Sequence, residues 1–348
     1  MSPTIHSHLK LDLDGASLAG NWHQLRRMSG EASCGAAIKA DGYGLGAREV
    51  AGRLYAAGCR DFFVATWAEA NEIASLVGEA SVTVLNGVLE VDMPSAVKSR
   101  AKPMLNSAVQ AARWKGTGLP CDVMVDTGMN RLGLSIGDLT EIAEFDLDVD
   151  LLASHLASAD DDSSQNEDQL AVYRKALAML PHRRKSLANS AGIALGPDFH
   201  FDLTRPGLSL YGGIPRTQFA EKIAPVAKIS AQLLQIRELS AGDKVGYNAT
   251  FTAEETMAIG TISIGYADGY LRGFSGRGCF YANGQELPVL GRVSMDLVAV
   301  DLSDVPDICE GDWVEMPLNL PLLAGQSGLS QYEVLTSLNR RFDRIWSS

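Results

Sequence analysis

The stretch "AAIKADGYGLGAREVAGRLYAAG" (residues 36–58) joins a short apolar run, a glycine-rich turn and a helix-length segment. The glycines allow tight backbone turns directly after the apolar run. Val50, Leu54 and Ala57 then recur at helical spacing, and Gly58 supplies a helix stop. This order predicts one strand–turn–helix unit with Lys39 at the end of its strand.

Strand-like runs alternate with helix-length segments through the first two hundred residues. The eight runs are 36–39, 62–66, 82–87, 102–106, 121–127, 150–157, 186–190 and 204–212. Eight such units favour a closed parallel barrel, and an open doubly wound sheet is the alternative.

After about residue 220 the strand-like runs follow one another, separated by turn signals such as "AGD" and "NG". The sequence therefore predicts an α/β protein in two domains. An N-terminal (β/α)8 TIM-type barrel spans residues 10–222, and a mostly antiparallel β domain spans residues 223–348 together with residues 1–9. A short helix is expected to begin near residue 331.

Composition narrows the classes of partner. The 348-residue chain has a formal net charge of −12 and no run of Lys or Arg, which argues against nucleic acid. Five cysteines without a CxxC pair argue against a disulfide framework and a structural zinc site. We see no secretory signal and no membrane-length apolar run. A cytoplasmic protein without a membrane partner is expected.

Reactive groups in a parallel barrel lie at the C-terminal ends of the strands. The residues expected there are Lys39, Asp126, Arg131, His155, Asn189, Ser190 and Arg205. A packed lysine loses part of its hydration, which lowers its pKa and suits the neutral amine to Schiff-base formation. The alternative is a lysine that extends its amine into solvent.

Two loops suggest a phosphate site. Tyr43 lies among glycines before a helix, and Ser190 and Gly207 fall on the loops after strands seven and eight. The alternatives are a plain turn at Tyr43 and a simple helix cap at Ser190. Arg131 is suited to holding a carboxylate or phenolic oxygen, and its alternative is an ion pair with Asp126.

The motif "AAIKADGYGLG" closely resembles the cofactor-lysine motif of alanine racemases. Further motifs match in order along nearly the whole chain: "DLDGASLAGNWHQLRR", "VDTGMNRLGL", "ASHLASAD", "ANSAG", "RPGLSLYG", "VGYNATF", "IGYADGYLR", "GRVSMDLV" and "YEVL". That family consists of pyridoxal-phosphate enzymes with an eight-stranded α/β barrel and a C-terminal β domain. The resemblance therefore implies the same fold and cofactor.

The resemblance also implies roles for individual residues. Lys39 would carry the cofactor as a Schiff base and act as one catalytic base. Tyr247 would be the other base and would reach the site from the partner subunit of a homodimer. The residues matching the family's cofactor contacts are Tyr43, Ser190, Gly207, Leu208 and Tyr332 at the phosphate, with Asn189 beside them, Arg205 at the pyridine nitrogen and His155 linked to Arg205.

Substrate contacts follow in the same way. Arg131 would contact the cofactor's phenolic oxygen and the substrate carboxylate, and Met295 would bind that carboxylate through its backbone N–H. The residues matching the family's substrate entrance are Tyr266, Asp160, Arg272 and Arg292. The resemblance thus implies interconversion of L- and D-alanine by two bases on opposite faces of the cofactor.

Three positions depart from the family pattern: Met124, where a lysine that supports the arginine is common, Ser294, often cysteine, and Leu45, often histidine. They leave open a racemase of serine or of a broader amino-acid range. A decarboxylase, a non-catalytic cofactor carrier and an unrelated barrel that uses Lys39 for an aldol-type Schiff base are further alternatives. The last two leave Tyr247 unexplained.

Overall fold

The computed structural model describes residues 7–347. By its internal contacts the chain divides into two units. The barrel unit is Leu18–Ala224, and the second unit combines the segment up to Ser17 with the segment from Pro225 onward. Residues 1–6 of the expected N-terminal contribution lie outside the described residues.

The strands, in chain order, are β1 (Leu9–Asp14), β2 (Ser33–Cys34), β3 (Ala36–Ala37), β4 (Asp61–Val64), β5 (Ser81–Val84), β6 (Lys102–Leu105), β7 (Cys121–Met124), β8 (Val149–Ala153), β9 (Arg184–Ser186), β10 (Leu203–Thr204), β11 (Ala227–Leu239), β12 (Lys244–Val245), β13 (Phe251–Thr252), β14 (Met257–Ile262), β15 (Cys279–Ala282), β16 (Gln285–Leu290), β17 (Val298–Asp301), β18 (Trp313–Pro317) and β19 (Asp343–Ser347).

The α-helices are α1 (Gly15–Met28), α2 (Lys39–Tyr43), α3 (Ala47–Ala57), α4 (Trp67–Ile73), α5 (Met93–Ala96), α6 (Ala108–Trp114), α7 (Ile136–Ile142), α8 (Gln165–Ala176), α9 (Ser190–Ile193), α10 (Leu320–Ser327) and α11 (Gln331–Thr336). Short 3₁₀ turns occupy Glu90–Asp92, Ala143–Phe145, Pro197–Phe199, Leu208–Tyr211, Thr217–Phe219, Tyr247–Ala249, Tyr266–Asp268 and Arg272–Phe274.

Seven strands of the barrel unit, β3 to β9, form a parallel sheet in sequence order. The eighth, β10, pairs in parallel with β2 just before β3. The other side of β10 contacts the segment after β9, where the Arg205 N–H donates to Ala188 O at 2.8 Å. These bonds confirm the expected closed barrel and exclude the open sheet.

All eight predicted runs extend beyond the C-terminal ends of the observed strands, and the last two differ most. The run 204–212 is strand only at its first residue, and Leu208–Tyr211 instead forms a 3₁₀ turn. Pro206 has no N–H to continue the strand ladder, which explains the break. The run 186–190 is also displaced, because β9 ends at Ser186.

The barrel helices follow the sequence signals. Helix α3 ends at Ala57, with Gly58 in the left-handed conformation as expected. Helix α1 begins behind Asp14, whose carboxylate accepts the Ser17 N–H at 3.0 Å. Helix α4 begins with a capping box, in which Thr66 and Glu69 satisfy each other's backbone N–H groups.

A charged cluster lies at the N-terminal ends of the strands. Lys102 contacts Asp122 at 3.0 Å and also binds Asp150. Arg184 joins Asp150 to Asp61, each at 2.9 Å. Asp122 is completely buried, and a buried carboxylate is stable only with such partners.

The second unit contains a mostly antiparallel eight-stranded sheet, in the order β14-β17-β16-β15-β18-β11-β1-β19. The long strand β11 also pairs with β14, so that six strands close on themselves. Strand β1 lies beside β11, and β19 runs parallel to β1 at the edge. Fold class is as the sequence predicted, including the short helix α11 near residue 331.

Within residues 7–347, no helix is both long enough and apolar enough to cross a bilayer.

We predict that Lys102→Met destabilises the barrel by about 3–5 kcal/mol, because it leaves Asp122 buried and unpaired. Burial already raises the pKa of Asp122 in the folded protein. In the variant, Asp122 is therefore protonated in the folded state at pH values where it is ionised in the unfolded chain. The loss should therefore shrink as pH falls through this raised pKa. Urea unfolding at several pH values measures it. The exposed Lys98→Met is the control, and equal losses in both variants would contradict the prediction.

Candidate active site

Lys39 lies two residues beyond β3, at the C-terminal end of the barrel, and its side chain is partly buried. Burial lowers the pKa of its amine, and the positive charge of Arg131 lowers it further, while Glu69 opposes the shift. The environment therefore favours the neutral amine more than solvent would. A partly buried amine of lowered pKa is typical of a reactive lysine, and the role of Lys39 stays a prediction.

The segment labelled α2 (Lys39–Tyr43) is a left-handed turn and not a regular right-handed helix. Ala40, Asp41, Gly42 and Tyr43 all have φ between 54° and 62°. This conformation is costly for residues with a Cβ and therefore requires support from neighbouring groups. The turn directs the chain back toward the start of α3.

Arg205 lies inside the barrel mouth, directly after β10. Its guanidinium donates to Ser154 O at 2.6 Å and also binds the Ser186 hydroxyl. Burial lowers the pKa of Arg205 to about 10, so that it remains protonated at neutral pH. Two of its five N–H donors bind these serines, and the other three have no hydrogen-bond partner among residues 7–347 and are available to a bound group.

His155 lies two residues beyond β8. Desolvation, with the charges of Arg205, Arg131 and Lys39, lowers its pKa to about 3. The imidazole is therefore neutral at physiological pH. Among residues 7–347, no hydrogen bond joins it to Arg205, and the two interact through charge.

The loops after β9 and β10 build a cradle of donors. Ser190 Oγ accepts the N–H groups of Gly207 and Ser209 at 3.0 and 3.2 Å. Because this oxygen accepts two bonds, its own proton is available to donate outward. The cap expected at Ser190 is instead Asn189, whose side chain accepts the Gly192 N–H.

Tyr43 closes one side of this cradle. Its ring is buried and stacks on Tyr211 with centroids 4.7 Å apart. A Cβ at Gly207 would collide with the Tyr43 hydroxyl, so that the phenol lies directly against the Gly207 backbone. Leu208 begins the following 3₁₀ turn. The plain-turn interpretation of Tyr43 is wrong, and the hydroxyls and backbone N–H groups here suit a phosphate.

The residues of the barrel mouth fit pyridoxal phosphate as a whole. The cradle presents donors for a phosphate, Arg205 has donors left for a ring nitrogen, and Lys39 supplies the amine. The hydroxyl of Ser209 is buried without a partner among the described residues, which leaves one more polar group for a ligand in this loop.

Arg131 is exposed on the loop after β7. The nearby carboxylate of Asp126 is occupied by the backbone, since its Oδ1 accepts the N–H groups of residues 128, 129 and 130 at 2.8–3.1 Å. In the described part of the chain no ion pair links the two residues. Met124 is buried and offers Arg131 no charge.

The second unit carries the remaining predicted residues. Tyr247 lies between β12 and β13 on a strained turn and is 64% exposed. Met295 is 53% exposed, and its carbonyl accepts the Ala267 N–H. Other residues in this unit are Tyr332 in α11, Arg272 with its guanidinium 5.1 Å from the Tyr266 ring centre, and Arg292. Asp160, by contrast, is exposed in the barrel unit.

Sequence reasoning missed several supporting residues. Tyr211, Ser154 and Ser186 are buried and orient the predicted groups. Glu69 binds the backbone next to Lys39. A signal for Glu69 was present, because Thr66 and Glu69 have the spacing of a capping box.

A parallel barrel with a desolvated lysine and a phosphate cradle at its mouth, followed by a separate antiparallel sheet, defines a class of barrel enzymes that bind pyridoxal phosphate through a lysine. The family description "Alanine racemase, N-terminal domain" matches residues 13–215, and "Alanine racemase, C-terminal domain" matches residues 226–346. The chain belongs to the alanine racemase family.

Individual relatives match over nearly their whole length. The chain is 42% identical to an alanine racemase of Cereibacter sphaeroides, covering 98% of both chains. It is 40% identical to a biosynthetic alanine racemase of Agrobacterium fabrum, covering 97% of this chain and 93% of the relative. A crystal structure of alanine racemase from Bartonella henselae with covalently bound pyridoxal phosphate has a TM-score of 0.92 and 36% identity, covering 99% and 100%.

We predict that His155→Gln weakens the acid sensitivity of the fold. The pKa of His155 is about 3 in the folded protein and 6.5 ordinarily, so between these values only the unfolded chain binds the proton. The stability contributed by the neutral imidazole is present above pH 6.5 and is lost as pH falls toward 3. Urea unfolding from neutral pH downward should give a shallower slope in the variant. The exposed His23→Gln should keep the wild-type slope, and a wild-type slope in both would contradict the assignment.

We predict that Gly207→Ala weakens pyridoxal phosphate binding by at least about tenfold, because the new methyl group displaces the Tyr43 hydroxyl from the cradle. Gly52→Ala is the matched control, since it adds the same group to open space in α3. That control should bind normally and gain about 0.5–1 kcal/mol of stability. Cofactor titration followed by absorbance gives both affinities. Equal affinities would show that Gly207 is not part of the cradle.

Proposed function

We propose that this protein interconverts L-alanine and D-alanine with pyridoxal phosphate, using Lys39 and Tyr247 as its two bases. The observation that carries the proposal is the barrel mouth. There a partly buried lysine of lowered pKa shares one opening with a protonated arginine and a phosphate cradle. Family membership identifies the reaction class, and these groups supply what it requires.

The cofactor contacts are assigned from the same groups. The resemblance assigns Tyr43, Ser190, Tyr332 and the backbone N–H groups of Gly207 and Leu208 to the phosphate, with Asn189 fixing the α9 start. In this structure the Gly207 N–H donates to Ser190 Oγ and so orients that hydroxyl. Arg205 donates to the pyridine nitrogen. When bound, pyridoxal phosphate withdraws electrons from the substrate's α-carbon and so acidifies the α-proton.

The hydrogen bond proposed from Arg205 to the ring nitrogen limits that withdrawal. An arginine that stays protonated donates to the ring nitrogen and leaves it unprotonated. The neutral His155 beside it adds no second positive charge, since its pKa is about 3. This arrangement moderates the electron withdrawal and restrains side reactions such as transamination.

Racemisation needs a proton removed from one face of the α-carbon and returned on the other. The Lys39 amine handles the proton on one face, and the Tyr247 hydroxyl handles it on the other. Arg131 and the Met295 backbone N–H hold the substrate carboxylate. The substrate entrance is assigned to Tyr266, Asp160, Arg272 and Arg292.

The active site is proposed to be shared between two copies of the chain. Tyr247 and Met295 are large side chains left mostly exposed in the single chain. Leu297 nearby in sequence is also 40% exposed. A homodimer would cover these residues and bring Tyr247 to the partner's Lys39. We assign the protein to the cytoplasm on composition, with no nucleic acid or membrane as partner.

Substrate range is the open element of the proposal. Met124 leaves Arg131 without the charged support that a lysine would give. Serine or a broader set of amino acids is therefore the second candidate, and a carrier of the cofactor without catalysis is the third.

The first test is formation of D-alanine from L-alanine, with and without added cofactor, followed by chiral chromatography. Lys39→Ala and Tyr247→Phe should each lower the rate by about 10²–10⁴-fold, because each removes a positioned base. The exposed Lys98→Ala and the second-unit Tyr281→Phe are controls and should retain activity. Cofactor-bound protein that racemises serine but not alanine would select the second candidate, and no racemisation of any amino acid would select the carrier.

Mixing the two inactive variants tests the shared site. If Tyr247 serves the partner's Lys39, a mixed dimer contains one intact site and one doubly altered site. Half of the dimers are mixed after full exchange, so that up to about a quarter of wild-type activity should return. No recovery, despite subunit exchange shown by mass spectrometry, would place both bases in one chain.

A further inference from the structure

The left-handed turn after Lys39 needs an external support. Ala40, Asp41 and Tyr43 have positive φ, a conformation that is unfavourable for residues with a Cβ. Internal bonds hold part of the turn: Gly42 N–H donates to Ile38 O and Gly44 N–H donates to Ala40 O, each at 2.9 Å. Asp41 also accepts the Ala47 N–H at 2.8 Å.

The N–H of Ala40 is bound from outside the turn. It donates to Glu69 Oε1 at 2.8 Å. Glu69 belongs to α4, the helix that follows the neighbouring strand β4. Because Ala40 directly follows Lys39, this bond fixes the peptide unit that carries the lysine.

The second carboxylate oxygen of Glu69 is bound to the end of β4. Oε2 accepts the N–H groups of Ala65 and Thr66 at 2.6 and 3.1 Å. One carboxylate therefore ties the loop after β3 to the loop after β4. Three backbone donors hold the carboxylate in one orientation, which makes it a rigid support.

The same carboxylate acts on Lys39 through charge. The groups that set the pKa of Lys39 besides burial are Arg131, which lowers it, and Glu69, which raises it. His155 also faces this mouth but is neutral. Glu69 is thus the negative charge that opposes the effect of Arg131 on the amine.

A capping role alone does not account for these contacts. Asp138 forms a comparable capping box at the start of α7, where its carboxylate binds only Ser135 among residues 7–347. Glu69 makes the capping bond and, with its other oxygen, reaches Ala40 on a different loop. The bond to Ala40 is the feature that a cap does not need.

We propose that Glu69 is a positioning residue for Lys39, holding the left-handed turn so that the lysine amine points into the barrel mouth. The proposal rests on the assignment of Lys39 as a base. Glu69 touches neither cofactor nor substrate in this role and acts through the backbone of Ala40.

The test compares Glu69→Gln with Asp138→Asn in the holoenzyme. Glutamine keeps the size of Glu69 but has one acceptor oxygen. Its NH₂ group must therefore face a backbone N–H, either that of Ala40 or those of Ala65 and Thr66, where two donors cannot form a hydrogen bond. We expect kcat for alanine to fall by about 10–100-fold with KM changed less than about threefold, as for a misplaced catalytic group. Asp138→Asn should lose a similar amount of stability from its cap and retain kcat.

The pH profile of kcat provides a second readout. Removal of the negative charge lowers the pKa of Lys39. In the reaction direction in which Lys39 removes the α-proton, the acid limb of the kcat profile should therefore move to lower pH. Glu69→Asp retains the charge and should keep the wild-type limb, although its shorter side chain lowers kcat. A shift of the same size in Asp138→Asn would overturn the electrostatic part of the proposal.

Amide hydrogen exchange supplies a readout that does not depend on activity. Exchange in a peptide covering residues 38–46 should be faster in Glu69→Gln than in wild type and unchanged in Asp138→Asn. Unchanged exchange and unchanged kcat in Glu69→Gln would overturn the proposal. If the wild-type protein racemises no amino acid, the proposed function fails on that assay, and the exchange result still decides whether Glu69 holds the turn.

Discussion

Closure of the barrel between its last and first strands is the constraint on which the site depends. Gly35 N–H donates to Thr204 O at 2.9 Å, and Ala37 N–H donates to Pro206 O at 2.8 Å. These two bonds place the segment that carries Lys39 beside the segment that carries Arg205 and Gly207. Residues about 170 positions apart in sequence thereby share one mouth, and Gly35 fits there because a Cβ would meet Asp61 O at 2.8 Å.

The sequence predicted the barrel, the second sheet and the positions of the mouth residues, because strand–helix alternation is a local pattern. The exact ends of the strands were harder to predict from the sequence. Pro206 ended a strand that its apolar neighbours would have continued, because proline has no N–H for the ladder. Asn189 rather than Ser190 capped α9, since the Ser190 hydroxyl accepts the N–H groups of Gly207 and Ser209, which are remote in the chain. No sequence pattern predicts the left-handed turn at Ala40, since alanine does not favour this conformation.

The charges of the barrel are arranged in two separate layers. At the N-terminal ends of the strands, Lys102 and Asp122 are paired and buried, and they serve the fold. At the C-terminal ends, no ion pair among the described residues joins a carboxylate to Arg205 or Lys39, and burial lowers the pKa of both. Positive groups held in this way are unfavourable for the fold alone and are typical of a functional site, which favours this layer for an anionic cofactor.

The pairing of β1 with β19 has a consequence for the order of assembly. These strands lie side by side, yet Lys10 pairs with Asp343 across almost the whole chain. At synthesis rates of roughly 5–20 residues per second, β1 waits tens of seconds for this neighbour. The barrel strands can all be made during that interval. The second sheet therefore completes after the barrel, and its first strand must avoid pairing with other nascent chains while it waits.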